Sequence, residues 1–403
     1  MHGIGSKMLE TLVNADDGDY RGRVIACSQG HEYEFIEYRD KILLTVLGPV
    51  TVRRAYYYDR QCGNGFCPKD KALDIVGTSY SCGVRRMVSR VGALRPFGLG
   101  QQDLYELAGI RVSAKGVERI SEKVGVQVEA FQSAAVELWE DVECSERPVR
   151  MYVCMDGTGV PMVKKEVVCR QGKEGQAKTR EVKLGCIFTQ TSVDKEGRPQ
   201  RDECSTSYTG AIEEAEVFGW RLYKEAKRRG IDWAKEVNVL GDGALWIWNL
   251  AEEHFPGACQ IVDLYHAREH HWNVGRACFG QEKEKLHQWA ESRRLELDDG
   301  KVEDVIDAIR QLSALPGYNK EICEREIGYF EKNKERMRYA EFRSRGLFVG
   351  SGVLEAGCRT VIAQRLKQSG MHWSVQGANS IIALRCSLMN NRWEDFWEHR
   401  TAA

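Results

Sequence analysis

The chain has 403 residues, 42% of them hydrophobic, enough for two or three domains each with a core of its own. Its 29% of charged residues nearly cancel, to a formal net charge of -1, so no global field marks it for nucleic acid, membrane or an acidic substrate. No basic start leads into an apolar run and no stretch of about eighteen apolar residues occurs, which argues against export and a membrane span. A cytosolic place is expected, with most of the 14 cysteines as buried thiols and a few as metal ligands.

Residues 1–90 read as a small β-rich module. Ile42 to Tyr58, "ILLTVLGPVTVRRAYYY", is rich in β-branched and aromatic residues on both sides of Gly48-Pro49, as a hairpin with its turn there would be. Cys27 and His31 ("CSQGH") lie before it, Cys62 and Cys67 ("CGNGFC") after it. A structural zinc takes four such ligands in two closely spaced pairs, so these residues are a candidate degenerate zinc ribbon for Zn²⁺. Ordinary thiols and a surface His are the alternative.

Residues 91–148 carry a helix-turn-helix pattern within "LYELAGIRVSAKGVERISEKVG". Leu104, Leu107 and Ala108 make one helix, Gly109 ends it, Ser113 caps the next, and Val117, Ile120 and Val124 recur at helical spacing. Lys115, Arg119 and Lys123 then face solvent, available to phosphates or base edges. A plain helical bundle is the competing reading.

Residues 149–270 alternate strands and helices, which implies an α/β layer fold. "VRMYVCMDG", "EVKLGCIFTQ", "EVNVLGDG" and "CQIVDLYH" read as buried strands, and "TSVDKEGRPQRDEC" as a hairpin connection. Residues 271–345 turn helical and charged, with a break at Pro316-Gly317, and read as an insertion. Residues 346–403 hold a capped helix carrying Glu355, a loop, and an apolar helix from Ala378 to Met389.

Asp156 and Asp242 each stand at the predicted end of a buried strand and each precedes a Gly. Ligands gather at the carboxyl ends of strands in such sheets, and two carboxylates meeting there repel unless cations sit between them. Oxygen ligands of this kind select Mg²⁺ or Mn²⁺, and Glu355 completes a set for two ions suited to in-line attack on a phosphodiester. From Lys332 to Lys367 nine Lys or Arg stand against three Glu, with Arg359 one helical turn from Glu355, a stripe suited to a polyanion. Each residue also has a plain reading: Asp-Gly as a turn, Glu355 as a helix-start residue, the stripe as a solvated face. "DGTG" echoes haloacid-dehalogenase-type phosphatases and actin-like ATPases. The former need an Asp where Cys154 stands, and the latter need further Gly-rich loops that this chain lacks.

"LLTVLGPVTVRRAYYY", "MDGTGVPM", "GDGALWIWNLAEEHFPGACQIVDLYHAREH" and "SGVLEAGCRTVIAQRLKQSGMHWSVQGANSIIALRC" closely resemble the ISKra group of bacterial insertion-sequence transposases, relatives of the Mutator-type DDE enzymes, from about Cys27 to Trp397. The resemblance implies a ribonuclease H-like core with Asp156, Asp242 and Glu355 as the triad, interrupted by the helical insertion. It implies double-stranded DNA as partner, strand cleavage and joining with two Mg²⁺ or Mn²⁺ ions, and a homo-oligomer on DNA. Asp263 and His266 in "DLYH" match an accessory signature. Arg359, Arg365 and Lys367 are expected on DNA, and Trp373 either stacks on an unpaired base or packs in the core. The chain departs from the family at the ribbon, where Asp59 stands at one ligand position. An inactive DNA-binding copy and a nuclease without a joining step are the other readings.

Overall fold

A computed structural model describes residues 2–26, 31–61, 63–134, 149–172 and 175–402. Its contacts divide the chain into two units, residues 1–127 and 128–403. The first unit opens with helix α1 (His2–Val13), followed by strands β1 (Val24–Ala26), β2 (Glu32–Thr45), β3 (Gly48–Asp59) and β4 (Asn64–Phe66). They pair in that order as an antiparallel sheet. Val50 and Val52 on β3 point to one face, two residues apart, and pack with Leu43, Ile75, Leu9 and Val13. The hairpin turn falls at Val46-Leu47, earlier than the Gly48-Pro49 expected from the sequence. Gly48 pairs with Thr45 and Pro49 with Leu44, so both belong to the ladder.

Helices α2 (Pro68–Ala72), α3 (Cys82–Leu94), α4 (Phe97–Ala108) and α5 (Ala114–Ala134) follow. Gly109 ends α4 in a left-handed conformation, φ 65°, and the Ser113 hydroxyl accepts the Gly116 N–H at 3.1 Å to start α5. Val117, Ile120 and Val124 form its buried stripe, as their spacing predicts.

The second unit is a mixed α/β assembly around strands β5 (Arg150–Pro161), β8 (Thr179–Gln190), β11 (Ser207–Ala211), β12 (Glu236–Gly241) and β13 (Cys259–Val262). Two-residue strands β6 (Gln171–Gly172) with β7 (Gly175–Gln176), and β9 (Ser192–Val193) with β10 (Pro199–Gln200), decorate the connections. The sheet order is β11-β8-β5-β12-β13, with β11, β8 and β5 antiparallel and β5, β12 and β13 parallel. Met151 to Met155 are all buried because helices cover both faces. On one face α6 (Ala215–Arg228) lies so close to β8 that a Cβ on Gly185 would come within 2.4 Å of Leu222, which leaves room only for glycine. Period two sends Cys154, Asp156 and their cross-strand partners Cys186 and Leu184 to the opposite face.

Helix α7 (Leu245–His254) joins β12 to β13, and α8 (Leu264–Phe279) follows β13 directly. The helices α9 (Lys283–Asp298), α10 (Val302–Ala314), α11 (Lys320–Asn333) and α12 (Tyr339–Ser344) form the charged stretch, broken at Pro316-Gly317 as expected, with Gly317 at φ 90°. Then α13 (Gly352–Gly357) continues through a π-helical turn, Cys358–Ala363, into α14 (Gln364–Leu366), before α15 (Val375–Met389) and α16 (Trp393–Ala402) close the chain. Among the described residues no helix is long and apolar enough to cross a membrane.

Candidate functional site

Three neighbouring parallel strands bring three aspartates to one level. Leu240 pairs with Cys154 and Gly241 with Val262, so two steps past the first pair and one past the second put Asp156, Asp242 and Asp263 side by side. Asp156 is not at a strand end, as the sequence suggested, but inside β5, whose Gly157 to Pro161 continue in register with β8. The antiparallel partner runs on while the parallel one stops at Gly241, so Asp156 sits where one edge of its strand opens.

Burial raises the Asp156 carboxyl above its usual range, and the Asp242 charge adds to the rise. Against these act the Cys358 thiol, which donates to Asp156 Oδ2 at 3.2 Å, the Gly157 N–H at 2.7 Å, and His266. Burial and the Asp156 carboxylate push the Cys358 thiol up in turn, which keeps it an S–H donor. Partial burial and the second carboxylate beside it both disfavour the ionised form, and a cation there would offset both.

Asp242 follows the end of β12. Its Oδ1 accepts the Ala244 N–H at 2.9 Å, and the Tyr329 hydroxyl from α11 donates to its carbonyl at 2.9 Å. Gly243 has φ 99°, and a Cβ there would meet the Tyr329 ring at 2.7 Å. Tyr329 also stacks on His270 with centroids 3.5 Å apart, so α8 and α11 together fix this turn.

Asp263 ends the last strand and caps α8, so "DLYH" is a strand end and a helix start rather than continuous strand. Its Oδ1 accepts the N–H groups of Tyr265 and His266 at 2.7 and 2.9 Å, and its Oδ2 accepts the Ser351 N–H. Every oxygen of this buried carboxylate thus serves backbone. Its hold on Ser351 replaces the side-chain cap expected for the Glu355 helix, which Ser351 does not provide. His266 is half-exposed, 3.7 Å from Glu269.

Glu355 is exposed, one helical turn before Cys358 on the helix that packs by Asp156. Among the described residues no three His, Cys, Asp or Glu side chains form a group that could hold a metal ion. The structure therefore brings Asp156 and Asp242 together, with Glu355 at the margin. Lys367 reaches Thr158, two residues beyond Asp156, and Arg359 is exposed.

Arg365, expected on DNA, is instead fully buried. Its guanidinium lies 5.0 Å from the centre of the Trp373 ring, and burial lowers its pKa to about 10. Trp373 takes the core alternative: it is 6% exposed, and its Nε1 donates to the Leu366 carbonyl at 3.0 Å. Three arginines of the basic stripe are compensated as well. Arg338 pairs with Glu303 and Glu335, Arg343 with Asp298, and Arg345 with Glu236 and Glu341.

In the first unit Lys115, Arg119 and Lys123 are all exposed, and Lys115 pairs with Glu118 at 2.8 Å. Of the proposed zinc ligands, Cys27 and Cys62 lie outside the described residues. His31 approaches the buried Asp59 at 3.7 Å, and Cys67 is buried, which raises its thiol pKa. Sequence reasoning missed Cys358 and Tyr329. The spacing of Cys358 from Glu355 was a readable signal, whereas no local pattern points Tyr329 at Asp242.

A family model described as an uncharacterised protein family, UPF0236, matches residues 24–394. A UPF0236 protein in the vanSb 3′ region of Streptococcus gallolyticus is 24% identical over 388 residues, which span 92% of this chain and 77% of that protein. Among solved structures, the Drosophila P element transposase strand transfer complex is similar at a TM-score of 0.28 and 9% identity, over 82% of this chain and 84% of that one. That likeness is too slight to establish a shared fold. The family model spans nearly the whole sequence, and the chain belongs to the UPF0236 family.

Proposed function

We propose that the protein is a DDE transposase with a ribonuclease H-like core, which binds the terminal inverted repeats of its own element and cuts and joins the DNA strands. The observation that carries this reading is the level placement of Asp156, half-buried within β5, and Asp242, just past the end of the adjacent parallel strand β12. The sheet order, with three antiparallel strands joined to two parallel ones, supports the ribonuclease H-like assignment, as does the sequence likeness to ISKra-type transposases.

Asp156, Asp242 and Glu355 are the residues that would hold Mg²⁺ or Mn²⁺. The raised Asp156 carboxyl fits such a role, because a cation between the two aspartates offsets both burial and repulsion. Ions held there would supply positive charge to a phosphodiester under attack. The chain's own groups position. Cys358 orients Asp156, the Gly243 turn orients Asp242, and Asp263 ties the Glu355 helix to the strand ends. Lys367, beside Thr158, offers a cation to a phosphate near Asp156. Pairing two transposon ends requires self-association on DNA.

A second reading, a DNA-binding protein that no longer cuts, draws its support from Glu355 standing outside any three-carboxylate group. The variant Asp242→Asn separates the two. Under the transposase reading it binds DNA carrying the element's ends as the unaltered chain does and cleaves none of it. Cleavage retained in Asp242→Asn sinks the assignment of this site, and an unaltered chain that binds and never cuts selects the second reading.

A further inference from the structure

In the first unit, a cavity of about 640 Å³ opens between the basic face of α5 and the loop of residues 77–80. Four cations from three elements line it: Lys41 of β2, Arg85 of α3, and Arg119 and Lys123 of α5. Among the described residues no carboxylate does. Ser79 and Tyr80 add hydroxyl groups from the loop.

Arg85 is 5% exposed, held by Asp74 through Nη2 at 2.6 Å, and its Nε–H has no acceptor among the described residues. That Nε–H is closed off from solvent, and Arg85 contributes to the cavity wall through its positive charge. Lys41 donates to the Ile75 carbonyl at 2.7 Å and lies 3.5 Å from Asp70, which also takes Arg54 at 2.8 Å. Two aspartates behind the wall thus compensate part of its charge. Arg119 and Lys123, exposed and one turn apart, are not ion-paired among the described residues.

This arrangement differs from a helix that presents its basic face to a groove. The loop stands opposite the Arg119 and Lys123 face, and cations from other elements close the cup around it. Cations with hydroxyls suit the oxygens of a phosphodiester, and two of the four, Lys41 and Arg85, are tied by Asp70 and Asp74 into a fixed wall rather than carried on a helix free to enter a groove.

We propose that this cavity, lined by Lys41, Arg85, Arg119 and Lys123, is a clamp for the phosphate backbone of duplex DNA and carries no base recognition. The inference rests on the transposase reading only in taking DNA as the partner. Its test uses the full chain and the variant Arg119→Gln/Lys123→Gln, whose two positions are exposed, so folding is spared. Binding to fluorescein-labelled duplexes of about 30 base pairs, one carrying the element's end and several of mixed sequence, is followed by anisotropy across a salt series.

The clamp predicts that the variant loses affinity on every duplex by the same factor. The slope of log K against log salt should become shallower by about 2, close to 0.9 for each phosphate contact removed. An unchanged slope, or a loss confined to one sequence, overturns the clamp while leaving the transposase reading intact. Absence of binding by the unaltered chain to any duplex overturns both. Circular dichroism of the variant guards the comparison.

Discussion

The Asp263 carboxylate accepts the backbone N–H of Ser351, the residue that leads into the Glu355 helix. With its other oxygen capping α8, this one side chain joins the end of the sheet, the start of the helix carrying His266 and the start of the helix carrying Glu355. Asp263→Asn keeps an acceptor for α8 but turns an amide N–H toward the Ser351 N–H. The expected result is a stability loss of about 1–3 kcal/mol, with strand cleavage reduced far more than that loss explains. Urea unfolding and a cleavage assay check it together, and normal cleavage in this variant contradicts the positioning role.

Cys358 acts on Asp156 through a single donor, 3.2 Å from Oδ2. Cys358→Ala removes that donor and should lower cleavage by about 10–100-fold, the usual cost of losing an outer-shell partner. Cys358→Ser restores a hydroxyl donor and should recover most of it. Equal activity in Ala and Ser variants would show that packing, not hydrogen bonding, is what Cys358 contributes.

Gly243 stands at φ 99° with Tyr329 against the space a Cβ would fill. Gly243→Ala should destabilise by about 1–3 kcal/mol and displace Asp242, since both backbone strain and the Tyr329 contact oppose the methyl group. A denaturation midpoint unchanged from the original chain contradicts this account of the turn.

His271, buried on α8, has its pKa lowered by burial to about 4, from an ordinary value of about 6.5. The sign follows from proton uptake: between these values the unfolded chain binds a proton and the folded chain does not. Its contribution is therefore full above about pH 6.5 and falls as pH drops toward 4, by about 3 kcal/mol in all. His271→Phe should flatten that part of the stability profile, as urea unfolding at pH 4.5 and 7 would show. An unchanged pH dependence in the variant assigns the slope to other groups.

Local signals in the sequence were reliable where local physics decides. Gly109 and Ser113 mark the α4–α5 turn, Pro316-Gly317 breaks the charged helices, and the apolar runs around Met151, Leu184 and Leu240 are strands. What failed depended on partners far along the chain. Asp156 lies inside its strand because β8 continues beyond the end of β12, and no window around Asp156 contains that fact. Arg365 reads as a surface cation by composition, yet Trp373 and the helix packing bury it. The stripe from Lys332 to Lys367 looked like a free basic face, whereas Arg338, Arg343 and Arg345 meet acids from other elements, Glu303, Asp298 and Glu236. Of the site, the two aspartates and their Gly neighbours were legible, and the side chains that hold them in place were not.

The central claim is metal-dependent strand cutting and joining at Asp156, Asp242 and Glu355. It is tested most directly with DNA flanking the gene on both sides, end-labelled and incubated with the purified protein and Mg²⁺ or Mn²⁺, beside Asp156→Asn. The account predicts cleavage at a repeated sequence and joined products, both absent in the variant and in chelator. Tight, site-specific binding with no cleavage under either metal, or cleavage that survives in Asp156→Asn, contradicts it.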